Sequence, residues 1–303
     1  MNKKILIGTS SFGKLDSSPI DLIRNAGFEI IMNPFGHKLT KSELMELLPD
    51  IDGIVAGLET LDREVLEKFD LKVISRCGSG ISNVDINAVK DLGIKFYYTP
   101  DGPTQAVAEL TIGMMLSLLR NAFEMASDLK KRKWTKHVGF QLKGKTVLLI
   151  GFGKIGQRVM DMLKPFALKF LVVDPAIKDI QKDYRILDIK DALPLADIIS
   201  LHASGDKCIL GENEFSLMKQ GVLILNAARG GLIDETVLKK FLDNNKVSGA
   251  WLDSFSEEPY SGELCDDIRV VLTPHIGSYT KEGRLSMELK AAENLLNGFE
   301  LIR

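Results

Sequence analysis

Residues 147–159, VLLIGFGKIGQRV, join a short apolar run to an amphipathic one through Gly151, Gly153 and Gly156, at G-x-G-x-x-G spacing. The spacing alone is weak evidence. Its setting is what counts, because a strand from Val147 to Ile150 precedes the glycines and a helix from Lys154 to Leu163 follows them. Glycines there let the backbone turn sharply and approach a pyrophosphate, whose charge then meets the helix N-terminus. The next apolar run ends in Val172-Val173-Asp174. A carboxylate at that point can accept hydrogen bonds from the adenosine ribose hydroxyls, and it repels a 2′-phosphate. No arginine follows directly, so the expected cofactor is NAD rather than NADP.

Outward from this motif the same alternation continues. On the C-terminal side come KFLVVD, ADIISLH, GVLILN, VSGAWLD and VVLTPH; on the N-terminal side come KILIG, FEIIM, GIVAG, KVISR and KFYY. Helical spacing separates them, as in Pro19 to Ala26, Ser42 to Leu48 and Asp62 to Phe69. Runs that are apolar throughout, rather than alternating, are strands covered by helices on both faces. The fold class is therefore α/β, with two doubly wound parallel-sheet domains. At about 100 to 200 residues per domain, 303 residues also suit two domains with a cleft between them. Thr104 to Lys131 contains no proline and is expected to form one long helix. It is apolar all round, as in AVAELTIGMMLSLL, so it must be covered by the other lobe or by a second subunit. A homodimer is expected. The segment from Thr280 to Ile302 also reads as a helix, and crossing back onto the first lobe would make that lobe discontinuous. The expected division is 1–99 with 282–303, and 100–281.

A net charge of −2 offers no field for nucleic acid or acidic membranes. The basic run Lys130 to Lys133 lacks interleaved aromatics and reads as a solvated helix end. No stretch of about 18 apolar residues could span a bilayer, and the expected location is the cytoplasm. Cys77, Cys208 and Cys265 are odd in number and form no C-x-x-C pair, which argues against a disulfide framework or a zinc site, so no metal is expected.

Arg229 in NAARGGLID, Glu258 in DSFSEEP and His275 in LTPHIGS lie just past the carboxyl ends of successive strands, where an open α/β sheet has its ligand crevice. Hydride transfer from a hydroxy acid needs a base for the hydroxyl proton, a cation for the carboxylate and a group that orients the base. One of each is present. A carboxylate beside an imidazole favours its charged, proton-donating form, and a guanidinium grips a carboxylate at two points as lysine cannot.

Several motifs together resemble one family: Arg-x-Gly-x-Gly-x-x-Asn-x-Asp from Arg76 to Asp85, AVAELT, GFGKIG, NAARGGLID, LDSFSEEP and TPHIG. The chain is similar over nearly its whole length to the D-isomer-specific 2-hydroxyacid dehydrogenases, and within them to the 3-phosphoglycerate dehydrogenase branch. That resemblance implies a flavodoxin-like substrate domain beside a Rossmann NAD-binding domain. It implies His275 as general acid/base, Glu258 as its partner and Arg229 as the group binding the substrate carboxylate. Ser79 and Gly80 would bind substrate through the glycine-rich turn, and Arg76 would face a distal phosphate. Thr99, Lys154, Ile155, His202, Ala203, Ala227, Ala228, Asp253 and Gly277 would lie near the cofactor, with Asp253 by the nicotinamide carboxamide. Asn83 and Asp85 would stabilise the turn.

The implied reaction is oxidation of 3-phosphoglycerate, with D-lactate or glycerate/hydroxypyruvate as alternative substrates and a non-enzymatic NAD-sensing scaffold as the other class. The chain departs from the family after ADIISLH, where His202-Ala203-Ser204-Gly205-Asp206-Lys207 lacks the usual proline and is shorter. The loop between Glu258 and His275 is short too. The sequence ends at Arg303, so feedback through a C-terminal regulatory domain is not expected.

Overall fold

The structure, a computed structural model, describes residues 3–177, 183–205 and 207–301; Asp206 and Ile302 of the readings above lie outside them. The chain divides into two compact units, Met1–Pro103 with Ser278–Arg303, and Thr104–Gly277.

The first unit alternates β1 (Lys4–Ile7), α1 (Ser18–Asn25), β2 (Glu29–Met32), α2 (Lys41–Leu47), β3 (Gly53–Ala56), α3 (Arg63–Lys68), β4 (Val73–Arg76), α4 (Ile86–Asp91) and β5 (Lys95–Tyr98). The strands form one sheet in the order β2-β1-β3-β4-β5, and every pairing is parallel. Apart from the half-buried Lys4 that opens β1, β1, β3 and β4 are buried throughout because helices cover both faces. Leu6, Ile54 and Ile74 look one way, into a cluster with Leu44, Val65 and Ala88; Ile5, Val55 and Val73 look the other way, toward Ile23 and Leu295. That second face is closed by the last helix of the chain, Lys281–Gly298, which we number α11 because six further helices precede it. It is fixed by a buried ion pair between Arg284 and Glu288. Arg284 also donates to Ser11 Oγ at 2.7 Å, and Glu288 accepts from the Gly13 N–H at 2.9 Å.

The second unit contains α5 (Thr104–Leu119), α6 (Ala122–Lys130), β6 (Thr146–Ile150), α7 (Lys154–Leu163), β7 (Lys169–Val173), β8 (Arg185–Ile186), α8 (Ile189–Ala192), β9 (Ile198–Leu201), α9 (Glu212–Leu217), β10 (Val222–Asn226), α10 (Glu235–Asp243), β11 (Val247–Leu252) and β12 (Val270–Leu272). Its sheet runs β12-β11-β10-β9-β6-β7-β8, again wholly parallel. The two-residue edge strand β8 was not anticipated, being too short for a pattern.

The single helix expected over Thr104 to Lys131 is instead two, bent by 68°. The break is at Asn121, which adopts a left-handed φ of 48° that asparagine tolerates better than most residues. The strand of chain at Phe140 returns to donate to the Leu119 carbonyl at 2.8 Å, satisfying a terminal acceptor of α5. No single helix among the described residues is long and apolar enough to cross a membrane.

Removing one member of a buried ion pair leaves the other charged and unpaired, at a cost of about 3–5 kcal/mol. Glu288→Ala is therefore expected to lower the chemical denaturation midpoint of the first unit markedly, whereas Glu282→Ala, at the exposed start of α11, leaves it nearly unchanged. Equal midpoints for the two variants would contradict this account of how α11 is held.

Candidate active site

The turn between β6 and α7 has a separate reason for each glycine. Gly151 has a φ of +89°, and a Cβ there would lie 2.4 Å from the Ala203 N and 2.6 Å from the His202 carbonyl carbon, so the loops after β6 and β9 can touch only if it is glycine. A Cβ on Gly156 would lie 2.4 Å from the Gly151 carbonyl oxygen, which requires glycine for close packing of α7 on the turn. Around Gly153 nothing lies within 4 Å, leaving the backbone open to a ligand. Side chains cap α2, α3, α4, α10 and α11, but none caps α7. Its first N–H groups are thus available for an anion. β6 and β9 are neighbours in space though not in sequence, so the turn sits at the sheet's switch point. Asp174, just past β7, accepts from the Phe152 N–H at 2.6 Å and the Ala176 N–H at 2.8 Å. It holds the glycine turn, and the residues present fit a dinucleotide.

Three neighbouring strand ends of the same sheet carry His275, Glu258 and Arg229. His275 follows β12, Glu258 follows β11 and Arg229 follows β10. His275 Nδ1 lies 3.0 and 3.1 Å from the two Glu258 oxygens, and the Phe255 N–H donates to Glu258 Oε1 at 3.1 Å. Pairing at Nδ1 places the proton there in the neutral ring and leaves Nε2 as the acceptor. The Arg229 guanidinium donates to the Ala228 carbonyl at 2.7 Å and forms no ion pair with a described carboxylate. Most of its donors are left for an anion.

Backbone scaffolding holds these groups in place. His275 has a φ of +54°, an unfavourable conformation for a side chain of this kind. Asp253 clamps it: Oδ1 accepts from Thr273 Oγ1 at 2.5 Å and the Ile276 N–H at 2.9 Å, and Oδ2 from the Gly277 N–H at 2.7 Å. Trp251 Nε1 adds a donation to Thr273 at 2.9 Å. Asn226 orders the Arg229 loop by accepting from the Ala228 N–H and donating to the Arg229 carbonyl. A Cβ on Gly230 would lie 1.7 Å from the Phe255 carbonyl carbon, so the Arg229 and Glu258 loops meet only over a glycine. Gly230, Asn226 and Thr273 are not picked out by the sequence because only the fold shows their contacts: Gly230 against the Phe255 backbone, Asn226 on the backbone of its own loop, Thr273 between the Trp251 and Asp253 side chains.

In the first unit, Ser79 is exposed, and neither its N–H nor that of Gly80 donates to another described residue. Thr99 is buried and accepts from the Gly78 N–H at 2.7 Å, so its hydroxyl serves this turn. Arg76 is buried as well and donates to the Cys77 carbonyl. Asn83 donates to the Glu59 carbonyl at 2.6 Å and Asp85 caps α4, both holding the turn. Lys154 and Ile155 open α7; Ala203 and Ala227, both partly buried, pack against the two faces of the sheet. Among the described residues no group of His, Cys, Asp or Glu could hold a metal ion.

A doubly wound unit with a dinucleotide turn and an imidazole–carboxylate–guanidinium set defines a pyridine-nucleotide oxidoreductase. Residues 112–277 match the family described as "D-isomer specific 2-hydroxyacid dehydrogenase, NAD binding domain". The chain is 36% identical to a hydroxypyruvate reductase of Thermotoga maritima over 85% of this chain and 88% of that one. It is 38% identical to a D-3-phosphoglycerate dehydrogenase of Methanocaldococcus jannaschii over 85% of this chain, but spans only 51% of that protein's length. A crystal structure of a glyoxylate reductase from Paecilomyes thermophila superposes with a TM-score of 0.88 at 25% identity, covering 99% of this chain and 96% of that one. The chain belongs to the D-isomer-specific 2-hydroxyacid dehydrogenase family. Its matched domain is the NAD-binding one, and the enzyme is NAD-dependent.

Burial of His202 beside the glycine turn lowers its pKa from 6.5 to about 4. Below the unfolded value the unfolded chain binds a proton that the folded chain refuses, so this ring's contribution is complete above pH 6.5 and lost as the pH falls through about 4. Urea titrations from pH 7 to pH 4 should show the parent losing more stability than His202→Asn. Parallel losses would contradict it.

Proposed function

We propose that the chain interconverts a three-carbon D-2-hydroxy acid of the glycerate skeleton and its 2-keto acid, using NAD. The observation that carries this reading is the grip of both Glu258 oxygens on one nitrogen of His275, with an arginine at the end of a neighbouring strand of the same sheet that pairs with no described carboxylate. Bound NAD supplies the ring that takes or gives the hydride. His275 Nε2 takes the hydroxyl proton during oxidation and returns it to the forming hydroxyl during reduction, and Glu258 stabilises the imidazolium between. Arg229 holds the substrate carboxylate and fixes the reacting carbon. We assign the first unit, with Ser79 and Gly80, to the substrate and the second, with Asp174, to the cofactor.

Two forms of this skeleton are supported. Similarity to the phosphoglycerate dehydrogenases and the presence of Arg76 favour the phosphorylated acid; the relative matched over most of its length, named a hydroxypyruvate reductase, favours the free one. We also propose a homodimer. The segment from α5 onward exposes Leu116, Phe123, Leu129, Trp134, Val138 and Phe140, an apolar run that a second copy would cover.

With keto acid and NADH, His275→Asn is expected to cut kcat by about a hundredfold or more while NADH affinity, read from fluorescence titration, stays within about twofold. Unchanged turnover would remove His275 from the mechanism. Arg229→Lys is expected to raise KM and lower kcat together, because lysine cannot make the two-pronged contact; parent-like constants would contradict its role. Light scattering should give the mass of two chains for the parent and of one for a Trp134→Glu, Val138→Glu variant. A monomeric parent would refute the dimer.

A further inference from the structure

Glu59 is 1% exposed and takes no part in the chemistry described so far. Glutamate is seldom buried so fully, because each polar atom shut away from water needs a partner. It lies three residues past β3, and the strand order β2-β1-β3-β4-β5 sets its loop between those that follow β1 and β4.

The backbone makes room for this side chain. Oε1 accepts from the Gly57 N–H at 2.9 Å, so the carboxyl folds back onto its own loop. A Cβ on Gly8 would lie 2.2 Å from Oε1. One on Gly57 would lie 3.0 Å from Oε2 and 2.9 Å from Thr9 Oγ1. Neither position can carry a side chain while the carboxyl stays where it is.

Asn83 carries this hold across to the loop after β4. Its Nδ2 donates to the Glu59 carbonyl at 2.6 Å and to the Gly57 carbonyl at 3.2 Å, the two residues that the carboxyl ties together. The Leu61 N–H donates to the Asn83 carbonyl at 2.8 Å, and the Asp85 N–H to the Leu61 carbonyl at 2.9 Å, which gives a short parallel bridge between Leu61 and Val84. At the other end of the turn the Gly78 N–H donates to Thr99 Oγ1 at 2.7 Å, and the Thr99 N–H to the Gly78 carbonyl at 3.1 Å. Between these two anchors lie the N–H groups of Ser79 and Gly80, which donate to no described residue.

We propose that Glu59 is a positioning residue for the substrate: by gripping Gly57 it fixes the loop on which Asn83 pulls, and so aims the Ser79 and Gly80 N–H groups. What counts is the reach of the side chain. Glutamine has the same length and can accept the same hydrogen bond, whereas aspartate is one methylene short. Loss of the grip leaves the Gly57 N–H buried without its acceptor and frees the second anchor of the turn. The inference deepens the reading that Ser79 and Gly80 receive the substrate, and it rests on that reading.

The test compares parent, Glu59→Gln, Glu59→Asp and Glu59→Ala, with NADH and hydroxypyruvate. Glu59→Asp and Glu59→Ala should raise KM for hydroxypyruvate by about tenfold with kcat within about threefold, while Glu59→Gln stays within about threefold of the parent in both. NADH affinity, read by fluorescence titration, should be the same in all four, because the cofactor is assigned to the other unit. Amide exchange at Leu61 and Asp85, followed by NMR, should quicken about tenfold in Glu59→Asp and Glu59→Ala and not in Glu59→Gln. Should Glu59→Ala fail to fold, Glu59→Gln and Glu59→Asp decide the matter between them. Equal impairment of those two, or losses spread over KM, kcat and NADH affinity alike, overturns the proposal. Unchanged exchange in Glu59→Asp overturns the hold of Glu59 on the loop. Faster exchange with an unchanged KM upholds that hold and overturns the reading that Ser79 and Gly80 receive the substrate.

Discussion

His275 Nδ1 meets Glu258 at 3.0 and 3.1 Å, and that contact decides which edge of the ring can do chemistry. One nitrogen is committed to the carboxylate, so in the proposed reaction proton traffic with substrate passes through the other. Much of the surrounding chain keeps this arrangement in place. His275 sits at a φ of +54°, a conformation that costs roughly 1–2 kcal/mol for a residue with a Cβ. Asp253 offsets it by taking three hydrogen bonds from the 273–277 loop. Burial pushes the Asp253 carboxyl up, and those same donors offset that push only in part. Glu235 holds the far side, accepting from the N–H and hydroxyl of Ser256.

The two units hold their arginines differently. In the second unit Arg229 forms no ion pair with a described carboxylate and keeps most of its donors open. In the first unit Arg76 is buried beneath the turn, where it donates to the Cys77 carbonyl and packs against Gly78. A guanidinium in the sequence is therefore not by itself an anion site; what matters is which of its donors the fold leaves open.

The strands and their helices were legible because parallel sheets bury both faces, and continuous apolar runs such as KILIG and VLLIG have few other uses in a chain of this composition. The glycine turn was legible because strand, spacing and helix agree. His275, Glu258 and Arg229 could be named because each follows a strand of the same sheet. The break at Asn121 was hidden by apolar residues on both sides of it, although asparagine's tolerance of left-handed backbone was the available signal. Gly230 meets the Phe255 backbone and Thr273 the Asp253 carboxylate across loops distant in sequence, and Asn226 works on backbone atoms of its own loop. Spacing carries no trace of such contacts.

The central claim concerns a single proton, and ¹⁵N NMR of the histidine-labelled protein reads it directly. The His275 signals are assigned by their loss in His275→Asn and followed at a pH where the ring is neutral. The account predicts a pyrrole-like Nδ1 carrying the proton toward Glu258 and a pyridine-like Nε2 open to substrate. A proton found on Nε2, with Nδ1 bare against the carboxylate, would contradict it.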